Sequence, residues 1–272
     1  MLYLISTPIG NLGDLTYRAV ETLQKLSLVL AEDTRVSERL LRHYEIRVPM
    51  KSFHQFSEKK EEEGIIQRLK RGDEIGLISD AGTPLVSDPG HRLVRRCREE
   101  GIPVTALPGP SSVIQALVLS GLSPERFQFV GFLPRTKEAF LKEILGMLDY
   151  PGTSICFESP ERVMKAVEAL AKLAPEREIT LARELTKKFE EVLTMPSKEL
   201  LDQLVKTPPR GEIVLLISGS ETPDWSQLSP QEHVAMLSEE FSLKEGDAIK
   251  LAAYLRHTPK RLLYRDLKIN LD

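Results

Sequence analysis

Residues 74–90 read EIGLISDAGTPLVSDPG. The apolar run Glu74–Ser79 is too short for a helix and ends in turn formers, so it reads as a buried strand. The stretch after it is richer in turn chemistry than one connection needs. From Ser79 to Gly90 there are two Asp, two Gly, two Pro and three hydroxyl residues. Small residues leave room for a ligand, prolines stiffen the path, and Asp80 offers negative charge. In open α/β sheets ligands bind beyond the carboxyl ends of strands, which is where this loop falls. The competing reading is a purely structural Ω-loop.

The same rhythm extends in both directions. Short apolar runs at Leu2–Ser6, Leu28–Ala31 and Val104–Leu107 join Glu74–Ser79 in a first series. A second series comprises Phe127–Phe132, Thr153–Phe157, Ile179–Ala182, Val192–Met195 and Ile213–Ile217. Helical periodicity fills the intervals near 15–25, 34–43, 60–71, 90–100, 112–119, 136–148, 161–173 and 197–206. Continuous apolar strands alternating with helices predict a largely parallel sheet covered on both faces. The alternation breaks at Ser120-Gly121-Leu122-Ser123-Pro124, and the runs at 179–182 and 192–195 are spaced like a hairpin. The expected organisation is therefore an N-terminal α/β domain over 1–119 with a parallel sheet, and a second α/β domain over 120–222 with a mixed sheet. A helical tail over 223–272 follows, in three pieces: Gln231–Glu240, Glu245–Arg256 and Pro259–Lys268. Ser229-Pro230 and Thr258-Pro259 are helix starts, with proline in the first turn.

The 272 residues carry 37 Lys+Arg against 40 Asp+Glu, a net charge of −3. That excludes nucleic-acid binding by bulk charge and requires any RNA contact to use a local patch. Residues 250–268 supply one, with Lys250, Arg256, Lys260, Arg261, Arg265 and Lys268 against Asp266 alone, a net +5. Tyr254 and Tyr264 are interspersed, and basic residues with aromatics suit phosphate contact and base stacking. Cys97 and Cys156 are too few for a disulfide framework or a structural zinc site and suit a reducing compartment. No run approaches the ~20 apolar residues of a membrane span. The start, MLYLISTPIGNLGD, has no basic region ahead of its apolar stretch and reads as a first strand rather than a signal peptide. A cytoplasmic protein is expected, with no membrane and no DNA partner.

The common catalytic signatures GxGxxG, GxxxxGK[ST], HExxH and GxSxG are absent. The five histidines are scattered, so neither a metal centre nor a Ser-His-Asp triad is expected. Instead, polar segments recur at strand ends: Ser6–Asp14, Ala31-Glu32-Asp33-Thr34-Arg35, Leu107-Pro108-Gly109-Pro110-Ser111-Ser112, Phe157-Glu158-Ser159-Pro160-Glu161-Arg162, Ala182-Arg183-Glu184-Leu185-Thr186-Lys187 and Pro208-Pro209-Arg210-Gly211-Glu212. For any one of these, an ion pair or a helix cap explains the charge. For the set, clustering around a shared cleft explains it better.

In this order the segments TPIGNLGD, AEDTR, SDAGTPLVSDPG, LPGPSS, GFLPR, ESPER, ARELTK and RGE resemble the small-subunit ribosomal RNA cytidine 2′-O-methyltransferases. These belong to the tetrapyrrole-methylase-like (class III) S-adenosylmethionine enzymes. The tail resembles their helix-turn-helix-like extension. Two departures stand out: His54-Gln55-Phe56-Ser57-Glu58 where the family has a His-x-His-Asn-Glu-like loop, and Arg210 where a lysine is usual. A planar guanidinium does not replace a point charge geometrically.

The resemblance implies S-adenosylmethionine folded in a cleft between the two domains. Its neighbours would be Pro8, Ser79, Asp80, Ala81, Gly82, Leu85, Ser111, Ser112, Phe157, Ala182 and Glu212. It also implies a homodimer acting on 16S rRNA of the 30S subunit, at a decoding-centre cytidine. A ribose 2′-hydroxyl is a weak nucleophile, so a base helps. Glu32, Asp33, Glu158 and Glu184 are the candidates, and Arg35, Arg183 and Lys187 would hold phosphate or orient the hydroxyl. Deleting residues 226–272 would cost RNA methylation and spare cofactor binding. Two rivals remain at this point: a tetrapyrrole C-methyltransferase of the same superfamily, and a non-catalytic RNA-binding ribosome-assembly factor.

Overall fold

Strands β1 (Leu2–Ile5), β2 (Leu28–Ala31), β3 (Met50–Ser52), β4 (Ile75–Ile78) and β5 (Val104–Leu107) form one parallel sheet in the order β3-β2-β4-β1-β5. The computed structural model describes residues 1–54, 58–219 and 225–269, apart from the side chains of Lys59, Lys60, Ser226, Lys268 and Ile269. The loop departure at Gln55, Phe56 and Ser57 and the Lys268 side chain therefore lie outside the described residues. The chain divides into two units, Met1–Leu119 with Arg183–Glu191, and Ser120–Ala182 with Val192–Asp272.

In the first unit the strands are apolar on both faces because each face has its own core. Leu28 and Leu30 join Phe53, Ile66 and Leu93 on one side. Val29 and Ala31 join Leu15, Leu23 and Leu41 on the other. The two-residue side-chain period sends neighbours to opposite layers, which is what a doubly covered parallel sheet demands. The helices are α1 (Tyr17–Leu23), α2 (Thr34–His43), α3 (Glu58–Lys70), α4 (His91–Glu99) and α5 (Ser112–Ser120). Their starts follow local chemistry. Thr16 Oγ1 accepts from Ala19 N at 3.2 Å to cap α1, and Asp33 Oδ1 accepts from Arg35 N at 2.9 Å to cap α2; such caps contribute ~1 kcal/mol each. Strand β3 was not anticipated. Its sequence, MKS, has no apolar pattern, and its pairing rests on main-chain register at the sheet edge, Val29 opposite Met50.

The second unit holds β6 (Phe127–Phe132), α6 (Lys137–Asp149), β7 (Thr153–Glu158), α7 (Pro160–Leu173), β8 (Glu178–Arg183), β9 (Glu191–Pro196), α8 (Ser197–Lys206) and β10 (Ile213–Ile217). The sheet order is β6-β7-β10-β8-β9. It is mixed, as expected: β6 runs parallel to β7 and β10 antiparallel to it.

The tail helices are α9 (Pro230–Phe241), α10 (Glu245–Leu255) and α11 (Lys260–Ile269). Ser229 and Glu232 form a capping box at the start of α9, with Pro230 in the first turn. Leu237, Ala248, Ala252 and Leu263 of the tail share one core with Phe140, Ile144, Leu170 and Leu200. The three helices are thus part of this unit's interior packing. Among the described residues no helix is long and apolar enough to cross a membrane.

Candidate functional site

In the first unit the loops after β1, β4 and β5 are tied to one another. Thr7 and Gly82 exchange backbone hydrogen bonds, at 2.9 and 3.0 Å. Thr7 Oγ1 donates to Ser79 O at 3.0 Å, and Thr83 Oγ1 donates to Pro110 O at 3.0 Å. Gly109 lies so close to Ser6 that an added Cβ would sit 2.7 Å from its Cβ. Leu85 and Ser87 take positive φ, 73° and 68°, without being glycine. Strain of this kind survives only where the surroundings over-determine it, and it gathers at functional loops. Pro8, Ser79, Asp80, Ala81, Gly82, Leu85, Ser111 and Ser112 all belong to this set of loops, at the carboxyl edge of the parallel sheet.

Acidic groups line the neighbouring strand ends. Asp80 Oδ1 accepts from Asp33 N at 3.0 Å, which fastens the turn after β2 to the loop after β4. Asp33 itself is gripped by Arg35, through N at 2.9 Å, Nε at 3.0 Å and Nη2 at 2.6 Å. Those bonds hold its carboxyl down at about 2. Burial, and then the charge of Asp80, push Glu32 up. Burial pushes Asp80 up as well. Asp88 is held up at about 6 by burial first, then by the charge of Glu32, while a hydrogen bond with Ser79 acts the other way. Asp88 is not among the residues expected at the site, and the repeated Ser-Asp at 79–80 and 87–88 is its signal in the sequence. Among the described residues no group of three or more His, Cys, Asp or Glu is arranged to hold a metal.

The raised Asp88 makes a stability prediction. Its folded value lies above the unfolded 3.8, so the fold is penalised by ionisation as pH climbs from about 4 to about 6. Asp88→Asn is expected to stabilise the protein at pH 8 by roughly 1–2 kcal/mol, two units at 1.36 kcal/mol each discounted for partial exposure. The gain should vanish at pH 4. Thermal unfolding at the two pH values checks this, and an equal gain at both would refute it.

The loop 183–191 belongs with the first unit. Asn11 N donates to Thr186 Oγ1 at 3.0 Å. A Cβ on Gly10 would lie 2.4 Å from Lys187 Cγ and 3.0 Å from Leu185 O, so only glycine permits this approach. Glu184 and Thr186 take positive φ, 51° and 66°. Arg183 pairs with Glu191 at 2.7 Å and Lys187 with Glu184 at 2.9 Å. All four charges are therefore matched within the loop.

In the second unit Phe157 lies against Phe129 and Phe132, with ring centroids 4.8 and 5.5 Å apart, an apolar wall. Next to it the Glu158 side chain is only 1% exposed and lies 3.1 Å from Arg162 Nη2. Its Oε1 accepts from Ser159 N at 2.9 Å. Arg162 Nη2 also donates to the carbonyls of Leu133 and Pro134, at 2.7 and 2.9 Å. Glu158, expected as a candidate base, is thus a buried ion-pair partner that anchors the turn after β6. Ala182 is buried near the end of β8, and Glu212 is exposed just before β10.

In the tail, Arg256 is turned inward. Its Nε donates to His233 Nδ1 at 3.1 Å and its Nη2 to Trp225 O at 2.9 Å and to Leu228 O. His233, stacked on Trp225 at 4.5 Å, is depressed to about 4 by burial and by Arg256. The guanidinium expected to touch RNA is committed to tail packing instead. Lys250 pairs with Asp247 at 2.8 Å, Arg265 lies 3.7 Å from Asp266, and Lys260 lies over Tyr264 at 5.4 Å. Arg261 is exposed.

The family Tetrapyrrole (Corrin/Porphyrin) Methylases matches residues 1–201. Ribosomal RNA small subunit methyltransferase I of Haemophilus influenzae is 42% identical over 93% of this chain and 92% of that protein. The protein of the same name from Bacillus subtilis is 39% identical over 97% of this chain and 92% of its own length. Solved structures with the same fold include diphthine synthase, with a TM-score of 0.62 at 13% identity, covering 80% of this chain and 89% of that one. Uroporphyrin-III-C-methyltransferase from Thermus thermophilus gives 0.55 at 19%, covering 80% and 93%. The family match stops at residue 201, while the likeness to the ribosomal RNA enzymes, at 97% of the chain, takes in most of the helical tail. On that evidence the chain belongs to the tetrapyrrole methylases, S-adenosylmethionine-dependent methyltransferases, and within them to the ribosomal RNA small subunit methyltransferase I family.

Proposed function

We propose that this methyltransferase modifies the ribose 2′-hydroxyl of a cytidine in 16S rRNA, acting on the 30S subunit as a homodimer. The observation that carries the reading is the extent of the likeness. It runs past the general methylase segment into a tail whose 250–268 stretch is strongly basic. A small tetrapyrrole substrate would not call for a basic stretch of this kind, whereas a polyanionic RNA does. The exposed apolar side chains of α5, Ile114, Val118 and Leu119, support a second copy as a neighbour.

The loop residues fit S-adenosylmethionine. Ala81 is exposed at the loop surface, Gly82 is locked to Thr7 and so fixes the loop's shape, and Ser111 and Ser112 stand at the start of α5. Glu32, Asp80 and Asp88 oppose a cationic group with negative charge. When bound, the cofactor supplies an already activated methyl group. The protein's task is then alignment and exclusion of water. Of the candidate bases, Asp33 is too acidic and Glu158 too well paired, whereas Glu32 is half-buried and held up by burial and by the charge of Asp80. In this reading Glu32 takes the hydroxyl proton, and Arg183 and Lys187 orient RNA phosphate once their own carboxylate partners yield.

Tritiated methyl transfer to 30S subunits, free 16S RNA and uroporphyrinogen, side by side with nucleoside mapping, tests the proposal. A 2′-O-methylcytidine in RNA is expected. Label in uroporphyrinogen alone, or in none of the three, overturns it. Asp80→Ala is expected to weaken cofactor binding by about 10- to 100-fold, because it removes both a charge and the clamp on Asp33. Calorimetric titration reads this directly, and unchanged affinity would remove Asp80 from the cofactor site.

A further inference from the structure

Phe189 is 65% exposed at the tip of the 183–191 loop. A single exposed aromatic is ordinary on a protein surface and by itself calls for no explanation. This one differs in how its surroundings are built. Thr186 N donates to Glu190 Oε2 at 2.6 Å, and Glu190 N donates to Lys187 O at 3.1 Å, so the chain is cross-linked on both sides of the ring. Asn11 N holds Thr186 from the loop after β1, and two strained residues, Glu184 and Thr186, bring the chain into that shape. The result is a large flat apolar group on a rigid support, in the same loop as Arg183 and Lys187. Lys188 Nζ lies 5.6 Å from the ring centroid, which adds positive charge at its face. Rigid aromatics bracketed by cations are how proteins hold unstacked bases. The ring takes the base's π-face and the cation takes the adjoining phosphate.

We propose that Phe189, with Lys188 beside it, is a stacking platform for a nucleobase next to the ribose that is methylated. The inference rests on the RNA reading above. It adds a positioning residue that holds the strand so that the 2′-hydroxyl meets the methyl group in line. The ring carries no hydrogen-bonding group, so it holds a base by stacking without reading its identity.

Methyl-transfer kinetics on 30S subunits, with wild type, Phe189→Ala and Phe189→Trp, test it. Phe189→Ala is expected to raise KM for the subunit by about 10- to 100-fold, the loss of one stacked base. The dissociation constant of S-adenosylmethionine and the melting temperature should stay at wild-type values. Phe189→Trp should restore KM, since any aromatic face serves. An unchanged KM in Phe189→Ala overturns the assignment. So does weakened cofactor binding, or conversion of a dimer to a monomer seen by light scattering, which would make the ring a subunit contact. If wild type itself methylates no RNA, the functional reading fails and takes this inference with it; wild-type activity with an unaffected alanine variant sinks the Phe189 role alone.

Discussion

A chain lacking residues 226–272 is expected to lose the cooperative fold of its second unit, and not merely an RNA contact. Leu237, Ala248 and Ala252 are fully buried and share a core with Ile144 and Leu170. Polar fastenings reinforce that packing. Lys137 Nζ donates to Ser242 O at 3.2 Å, Lys172 Nζ to Glu240 O at 3.3 Å, and His257 lies 3.5 Å from Asp149. Lys142 lies 5.0 Å over the Tyr254 ring. Burying one large apolar side chain stabilises by ~1.5–3 kcal/mol. Losing several of them exceeds the 5–15 kcal/mol that hold a domain together. This replaces the sequence-based expectation that the truncated chain would keep its cofactor site and lose only RNA. Circular-dichroism melting of the truncated chain checks it. A sharp transition within a few degrees of the full chain would show that the tail is dispensable for folding.

Arg162→Met is expected to cost about 3–5 kcal/mol, because it leaves the Glu158 carboxylate buried without its cation. The same change frees the carbonyls of Leu133 and Pro134, which the guanidinium now holds. Adding Glu158→Gln to Arg162→Met should recover much of the loss, since no charge then remains to be buried. Urea unfolding of the two single variants and the double variant closes the cycle. A cost below about 1 kcal/mol for Arg162→Met, or a double variant as unstable as the sum of the singles, would contradict the ion-pair account. A residue serving only as a catalytic base would show neither the cost nor the recovery.

Much of the scaffold was legible from local pattern. The apolar runs Leu28–Ala31 and Ile213–Ile217 are strands because every residue in them is buried, and burial on both faces requires an unbroken apolar run. Thr16, Asp33 and Ser229 mark helix starts because a cap needs only groups within three residues of itself. Strand β3 escaped because its pairing is a main-chain matter at an exposed edge. The backbone conformations of Leu85 and Ser87 escaped because positive φ in a non-glycine residue leaves no mark in composition.

The candidate site divides in the same way. The loops that gather at the edge of the first sheet are legible in the sequence, since turn formers at strand ends are local signals. What each charge does there was not. Arg256 and Arg261 look alike in a basic stretch, yet one is clamped by His233 and Trp225 and the other is exposed. Asp33 and Asp88 look alike in polar loops, yet Arg35 holds one low and burial holds the other high.

By itself the sequence determined the α/β order, the two kinds of sheet, the helical tail and the family, because periodicity, caps and turn chemistry are carried by neighbours along the chain. Only the tertiary structure decided which carboxylates are ion-paired, which are raised, that Phe189 stands on a rigid loop and that the tail is core. Ionisation, pairing and burial depend on groups distant in the chain, such as Asp80 on Asp33 or Leu237 on Ile144, and these meet only when each unit folds.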